Sequence, residues 1–219
     1  MLIRNLGLGL AFLTVAGAAQ AAPISSLFST GVDASGNVLA NGTVGDPHYA
    51  MASNPGGTSD IRVLTSANGF PIGPWLGDNS VSRWIGPNSD GSVDGPSGSY
   101  DYRTTFSLAG LSAATASITG QWSADNEGLD ILLNGVSTGN ATGGGSSGAF
   151  TQFTAFTLAS GFIAGANTLD FLVNNDGGPT GVRVEMTGTA SASAVPEPAA
   201  LAILGVGLTA LAFVRRRTV

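Results

Sequence analysis

The chain has no cysteine, and all eight of its basic residues are arginines, so it has no lysine either. The first absence excludes disulfides, thiolate nucleophiles and cysteine-ligated metals. The second excludes a Schiff-base lysine. There is one histidine, His48, so no His-rich zinc site forms within one chain. A Ser-His-Asp triad has to run through that residue, in Gly45-Asp46-Pro47-His48-Tyr49. In this setting His48 reads more simply as a hydrogen-bonding side chain at the start of a strand. Positive charge is scarce as well. Arg4 and Arg215 to Arg217 lie near the two termini, which leaves Arg62, Arg83, Arg103 and Arg183 against almost all of the fourteen acids. Phosphate binding needs basic density, so nucleic acid is excluded as a partner. Helical periodicity is also missing between the termini.

The termini read as targeting segments. Arg4 precedes an apolar run from Leu6 to Ala18, and Ala19-Gln20-Ala21 supplies the small-x-small pattern of a signal-peptidase site. Residues 1–21 are therefore expected to be a secretory signal peptide, cut after Ala21 or Ala22. At the other end, Ala199 to Val214 is uncharged and apolar. At about 1.5 Å per residue it spans roughly 24 Å, slightly less than the ~30 Å hydrocarbon core. Arg215, Arg216 and Arg217 follow at once, and basic flanks stay cytoplasmic. A single transmembrane helix is expected here, tethering an exported domain by its C-terminus. Pro196 and Pro198 bracket Glu197 and keep the segment before the span extended.

Val195-Pro196-Glu197-Pro198, the apolar span and the arginine cluster together resemble the PEP-CTERM sorting signal of Gram-negative bacteria. The resemblance implies recognition and removal by an exosortase, a membrane transpeptidase-like cysteine enzyme. Pro196, Glu197, Pro198 and Arg215 to Arg217 then form a substrate signal. The implied route crosses the inner membrane, passes through a transient anchored state there, and ends at the cell surface or in the extracellular matrix.

Between the signals, period-2 alternation dominates. Tyr100, Tyr102, Thr104, Phe106 and Leu108 alternate with Asp101, Arg103, Thr105 and Ser107, as in a half-buried strand. Further strands are expected over Ala116 to Trp122, Leu129 to Leu133, Phe150 to Leu158, Thr168 to Val173 and Val182 to Met186, with weaker ones at His48 to Ala52 and Ile61 to Leu64. Asn134-Gly135 closes a tight hairpin. Short strands separated by Gly, Asn and Pro turns predict one all-β domain over residues 22–188, an antiparallel jelly-roll sandwich. A small-residue linker follows over 189–194, and the sorting signal occupies 195–219. Gly143 to Gly148 has no lysine after it and reads as a loop tip, and the acidic loop Asn88 to Asp94 reads as a turn.

Two stretches sharpen the fold. Gln121-Trp122-Ser123-Ala124-Asp125-Asn126 leads to Asp130-Ile131-Leu132-Leu133-Asn134-Gly135, and Gly165-Ala166-Asn167-Thr168-Leu169 leads to Gly181-Val182-Arg183-Val184. Together they resemble the galactose-binding-like β-sandwich found in many carbohydrate-binding modules. That resemblance implies a rim where Asp125 and Asn126 meet Asn175 and Asp176, supplying oxygens to sugar hydroxyls or to a structural Ca²⁺ held by Asp125 and Asp176. The same residues also make Asx turns. Trp122 suits either a sugar-stacking platform or the core, Trp84 suits the core, and Trp75 in Gly73-Pro74-Trp75-Leu76-Gly77 is the tryptophan expected at the surface. Three functions follow: a non-catalytic surface or matrix protein binding exopolysaccharide, a structural or adhesive exoprotein without a sugar site, and a glycosidase with two facing carboxyl groups.

Overall fold

The computed structural model describes residues 20–65, 75–88, 93–143 and 148–193. All but the last two residues of the expected signal peptide, the sorting tail, most of the Asn88 to Asp94 loop and most of the glycine-rich tip lie outside the described residues. Among the described residues no helix is long and apolar enough to cross a membrane.

Among the described residues eleven strands are formed: β1 (Ala21–Pro23), β2 (Tyr49–Ser53), β3 (Arg62–Leu64), β4 (Trp84–Gly86), β5 (Gly98–Ser107), β6 (Ser117–Asp125), β7 (Glu127–Leu133), β8 (Val136–Ser137), β9 (Thr154–Leu158), β10 (Ala166–Asn175) and β11 (Gly181–Ser191). They build two antiparallel sheets. The first has the order β3-β4-β11-β6-β9, with β1 also on β11, and the second has the order β2-β5-β10-β7-β8. The chain passes from one sheet to the other between Asp125 and Asn126, so the expected jelly-roll sandwich is the observed fold.

The alternation read from the sequence is what closes the core. In β5, Tyr100, Tyr102, Thr104 and Phe106 are buried, while the intervening residues face outward. Across the gap lie Ile118 and Trp122 of β6 and Val182, Val184 and Met186 of β11. Phe171 of β10 sits at the centre, with Tyr49, Trp122 and Phe156 around its ring. Full burial of such side chains contributes about 1.5–3 kcal/mol each, so this core does the work that disulfides do in smaller exported domains. Gly128 is required by close approach. A Cβ there would lie 2.4 Å from the Trp122 ring and 2.5 Å from Thr142 Cγ2.

Strand pairing extends beyond the expected range of 22–188 at both ends. Thr189 to Ser191, expected as linker, complete β11 and pair with β1, with Ala21 opposite Ser191 and Pro23 opposite Thr189. The small residues at the end of the domain are strand residues because their backbone amides and carbonyls have a partner strand. Among the described residues, both apolar clusters are built from the two sheets and the segments packed on them.

Candidate functional site

The sequence-predicted rim is assembled in part. Asn126 and the 174–176 turn meet at one corner: the Asn126 amide donates to the Asn174 carbonyl at 2.9 Å, and the Asp176 amide donates to Asn126 Oδ1 at 2.8 Å. These groups are already engaged with protein. Asn175 is buried, its Nδ2 donates to the Gly95 and Pro96 carbonyls, and its Oδ1 accepts the Gly177 amide. Asn174 Nδ2 donates to Asp176 Oδ1 at 2.7 Å. The corner is a set of Asx turns pinned to the 95–97 segment, with Ser97 Oγ donating to the Asp176 carbonyl.

Asp125 turns away from this rim. It is buried, and the Trp75 side chain hydrogen-bonds its carboxylate. Burial pushes its carboxyl up to about 7, opposed by that bond, and its Oδ1 has no partner among the described residues. Trp75 is itself only 7% exposed, which corrects the expectation of a surface tryptophan. Its ring lies 4.2 Å from that of Trp84 and 6.3 Å from that of Phe150, a small second core that a loop reading misses. Trp122 is fully buried against Phe171 and presents no sugar platform, because β6 is an interior strand whose even positions face the opposite sheet.

A calcium cage does not fit this corner. Ca²⁺ takes six to eight oxygens, and no three His, Asp or Glu side chains gather anywhere among the described residues. With Asp125 held by an indole and Asp176 by Asn174, we expect the domain to melt at the same temperature in excess calcium and in EDTA. A calcium-dependent midpoint would show that the corner rearranges to bind the ion.

A polar cluster that the sequence did not single out lies on the outer side of β11. Arg183 is 1% exposed, yet it projects from the face opposite the core. Its Nε donates to Ser82 Oγ at 2.7 Å and its Nη1 to the Gly77 carbonyl at 2.6 Å, while the guanidinium lies over the Phe153 ring at 5.3 Å. Glu185 accepts from Asn79, Ser82 and Gln121. Burial alone would raise its carboxyl, but those three bonds and Arg183 hold it below the usual range. Because its groups are turned to one another, the cluster fastens the 76–83 segment to the sheet.

The outer face of the second sheet is different. Arg103 of β5 stands opposite Asp170 of β10. Its Nε donates to Asp170 Oδ1, and Nη2 lies 3.8 Å from Asp101 Oδ2. Asp170 is 1% exposed, whereas the Arg103 side chain is 46% exposed, so a buried carboxylate holds a guanidinium that faces solvent. Burial and the nearby Asp170 charge push the Asp101 carboxyl up to about 6, against the pull of Arg103. A side-chain hydrogen bond between the two carboxyl groups adds to the rise at Asp101. This contact is too close to admit a glycosidic bond between them.

Beside Arg103 opens a groove of about 480 Å³, lined by Asp46, Pro47, His48, Tyr49, Ala50, Arg103 and Thr105. Its wall is rigid. The Asp46 carboxylate accepts the amides of Gly31, His48 and Tyr49. The His48 ring stacks on Phe28 at 3.6 Å, with Nε2 at 3.1 Å from the Asp33 carbonyl, so its expected hydrogen-bonding role is met. Arg103 Nη1 makes no hydrogen bond among the described residues, and its hydrogens remain available to a ligand. A signal for this residue was present in the sequence, as the one arginine at an outward position of the most regular alternating strand.

Residues 194–217 match the PEP-CTERM protein-sorting motif. The chain thus carries the signal that exosortase processing reads, and it is an exported protein, membrane-associated before release. No curated protein matches the chain. Among solved structures it is similar to a family 35 carbohydrate binding module from Clostridium thermocellum, at 18% identity over 60% of this chain and 88% of that one, with a TM-score of 0.33. It is similar also to a family 35 carbohydrate binding module from an environmental isolate, at 15% identity over 67% and 98%, with a TM-score of 0.30.

Proposed function

We propose that the mature domain is a non-catalytic surface or matrix protein that holds exopolysaccharide, and that the sugar lies in the groove beside Arg103. Signal peptidase and exosortase process its two ends. The observation that carries the reading is the half-exposed Arg103 guanidinium, fixed from behind by buried Asp170 at the mouth of an open groove. A guanidinium held in this way presents several N–H donors at fixed angles, which suits vicinal hydroxyl or carboxylate groups of a sugar, with little side-chain entropy left to lose on binding. Thr105 and the edge of His48 supply further polar contacts along the same wall.

The test is a glycan array on residues 22–193, followed by titration of any glycan retained. Arg103→Lys keeps the charge that pairs with Asp170 but removes the planar fork, and it is expected to weaken binding at least tenfold, about 1.4 kcal/mol. Its melting temperature should stay close to that of the parent. An array without a hit overturns the reading. Undiminished affinity in Arg103→Lys places the sugar elsewhere and overturns the site.

A further inference from the structure

Among the described residues the sandwich has five strands paired on one side only, and four of them are guarded. Strand β1, which pairs with β11 alone, is three residues long and ends in Pro23. The outer side of β3 is covered by the 42–45 segment: Gly42 donates to the Val63 carbonyl, Val63 to the Thr43 carbonyl and Gly45 to the Ile61 carbonyl. Along β2 the pairing is broken by a register shift between Met51 and Ser53. The edge strand β8 is two residues long. Covering, bulging and shortening are the usual protections against edge-to-edge pairing.

Edge strand β9 has none of them. All five of its residues pair in unbroken register with β6, from Thr154 opposite Trp122 to Leu158 opposite Ile118. On its other side no backbone hydrogen bond is made among the described residues. Phe156 and Leu158 point into the core, and Ala155 and Thr157 are exposed, so the outer rim has neither charge nor proline.

The surroundings extend this neutrality. No acidic or basic side chain occurs between Asp130 and Asp170, a stretch that supplies β8, β9 and the loops between them. A groove of about 270 Å³ runs between the two edge strands, and every residue lining it is uncharged, Leu133, Val136, Asn140, Thr157 and Leu158 among them. Val136 is 68% exposed, and Ile163, two residues past the groove's Gly161, is 53% exposed.

We propose that this flank is a self-association surface, on which β9 pairs antiparallel with β9 of a second copy about a two-fold axis. Charge selects the occupant. The protein is strongly acidic, with a sequence pI of about 4.4, and two copies repel one another wherever their charged faces meet. The β8–β9 flank is the surface on which two identical acidic molecules approach without that repulsion. An open strand edge is also self-complementary under a two-fold axis, as an isologous interface requires. Pairing β9 with its copy joins two first sheets into one continuous sheet and brings the exposed Val136 and Ile163 of both copies to the seam. The interface is remote from the groove at Arg103, so it does not depend on the sugar reading.

The experiment is sedimentation equilibrium on residues 22–193 from micromolar to about millimolar concentration. A monomer–dimer equilibrium is expected. The double variant Ala155→Lys/Thr157→Lys places two charges per copy on the exposed rim of β9, and it is expected to raise the dissociation constant at least tenfold while leaving the melting temperature nearly unchanged. A lysine placed instead on a guarded edge, as Ala52→Lys on β2, should leave the dimer intact. A monomer at every concentration overturns the proposal, as does a dimer that survives the β9 lysines or is lost with Ala52→Lys. If the domain stays monomeric but the β9 lysines release it from the cell surface, the edge belongs to a strand of another protein, and self-pairing is overturned.

Discussion

A chain carrying Glu197→Ala is expected to remain in the inner membrane as an uncut precursor. The last tie of the domain among the described residues is the Ser193 amide donating to the Gly110 carbonyl at 2.9 Å, and Ala192 bridges to Leu111 just before it. Pro196 follows three residues later, a reach of about 10 Å for extended chain. The sorting motif at 194–217 begins at the residue after Ser193. Glu197 is the single charge between the domain and the apolar span, with a proline on either side that keeps the backbone out of a helix. Removing its carboxylate takes away the one charged group a processing enzyme can read there, while the apolar span and its arginines, the expected anchor, are unchanged. Intact-mass measurement on the membrane and released fractions, in a host with an exosortase, decides the matter. The parent should be released without Arg215 to Val219, and the variant should keep them and stay with the membrane. Released parent protein still ending in Val219 would overturn the processing route, and normal release of the variant would show that Glu197 is not read.

The strands were legible because one face of each is buried and the other is not. Tyr100 to Leu108 shows this in its letters, and β5 follows with an error of two residues at its start. Two errors share one physical cause. Thr189 to Ser191 looked like linker and Trp75 looked exposed, because local composition does not report partners distant in sequence. The β1 strand orders the first, and Trp84 and Phe150 bury the second. The rim is a different case. Asn126, Asn175 and Asp176 do meet, but the Asx chemistry that allows them to line a site also allows them to satisfy the backbone, and the backbone takes them. Arg103 was visible as a letter and not as a site, since its meaning depends on Asp170, a strand away in space and distant along the chain.

Stability is expected to fall as the pH rises from about 4 to 8, and Asp125→Asn is expected to remove most of that fall. Burial raises the Asp125 carboxyl from an ordinary value of 3.8 to about 7 in the folded state. Below about pH 4 both folded and unfolded chains hold the proton, and the carboxyl costs nothing. Between about 4 and 7 the unfolded chain loses its proton and the folded chain keeps it, so stability declines with pH. Above about 7 both are ionised, and the full cost of an anion in the Trp75 pocket is present, on the order of 2–4 kcal/mol. For a domain of this size that corresponds to roughly 5–10 °C in melting temperature. Asp101, raised to about 6, contributes a smaller decline in the same direction that is complete about one pH unit earlier. Glu185 acts in the opposite sense: its lowered carboxyl adds stability that is lost as the pH falls below the ordinary glutamate range. Maximum stability therefore belongs on the acid side of neutrality. In Asp125→Asn the amide oxygen still accepts from Trp75 while the ionisation is gone. Melting curves from pH 4 to 9 should show the variant level above pH 6, with the slope due to Asp101 remaining below it. A variant that loses as much stability between pH 6 and 8 as the parent would show that the buried carboxyl is not Asp125, and a parent most stable at pH 8 would show that its pocket is open to water.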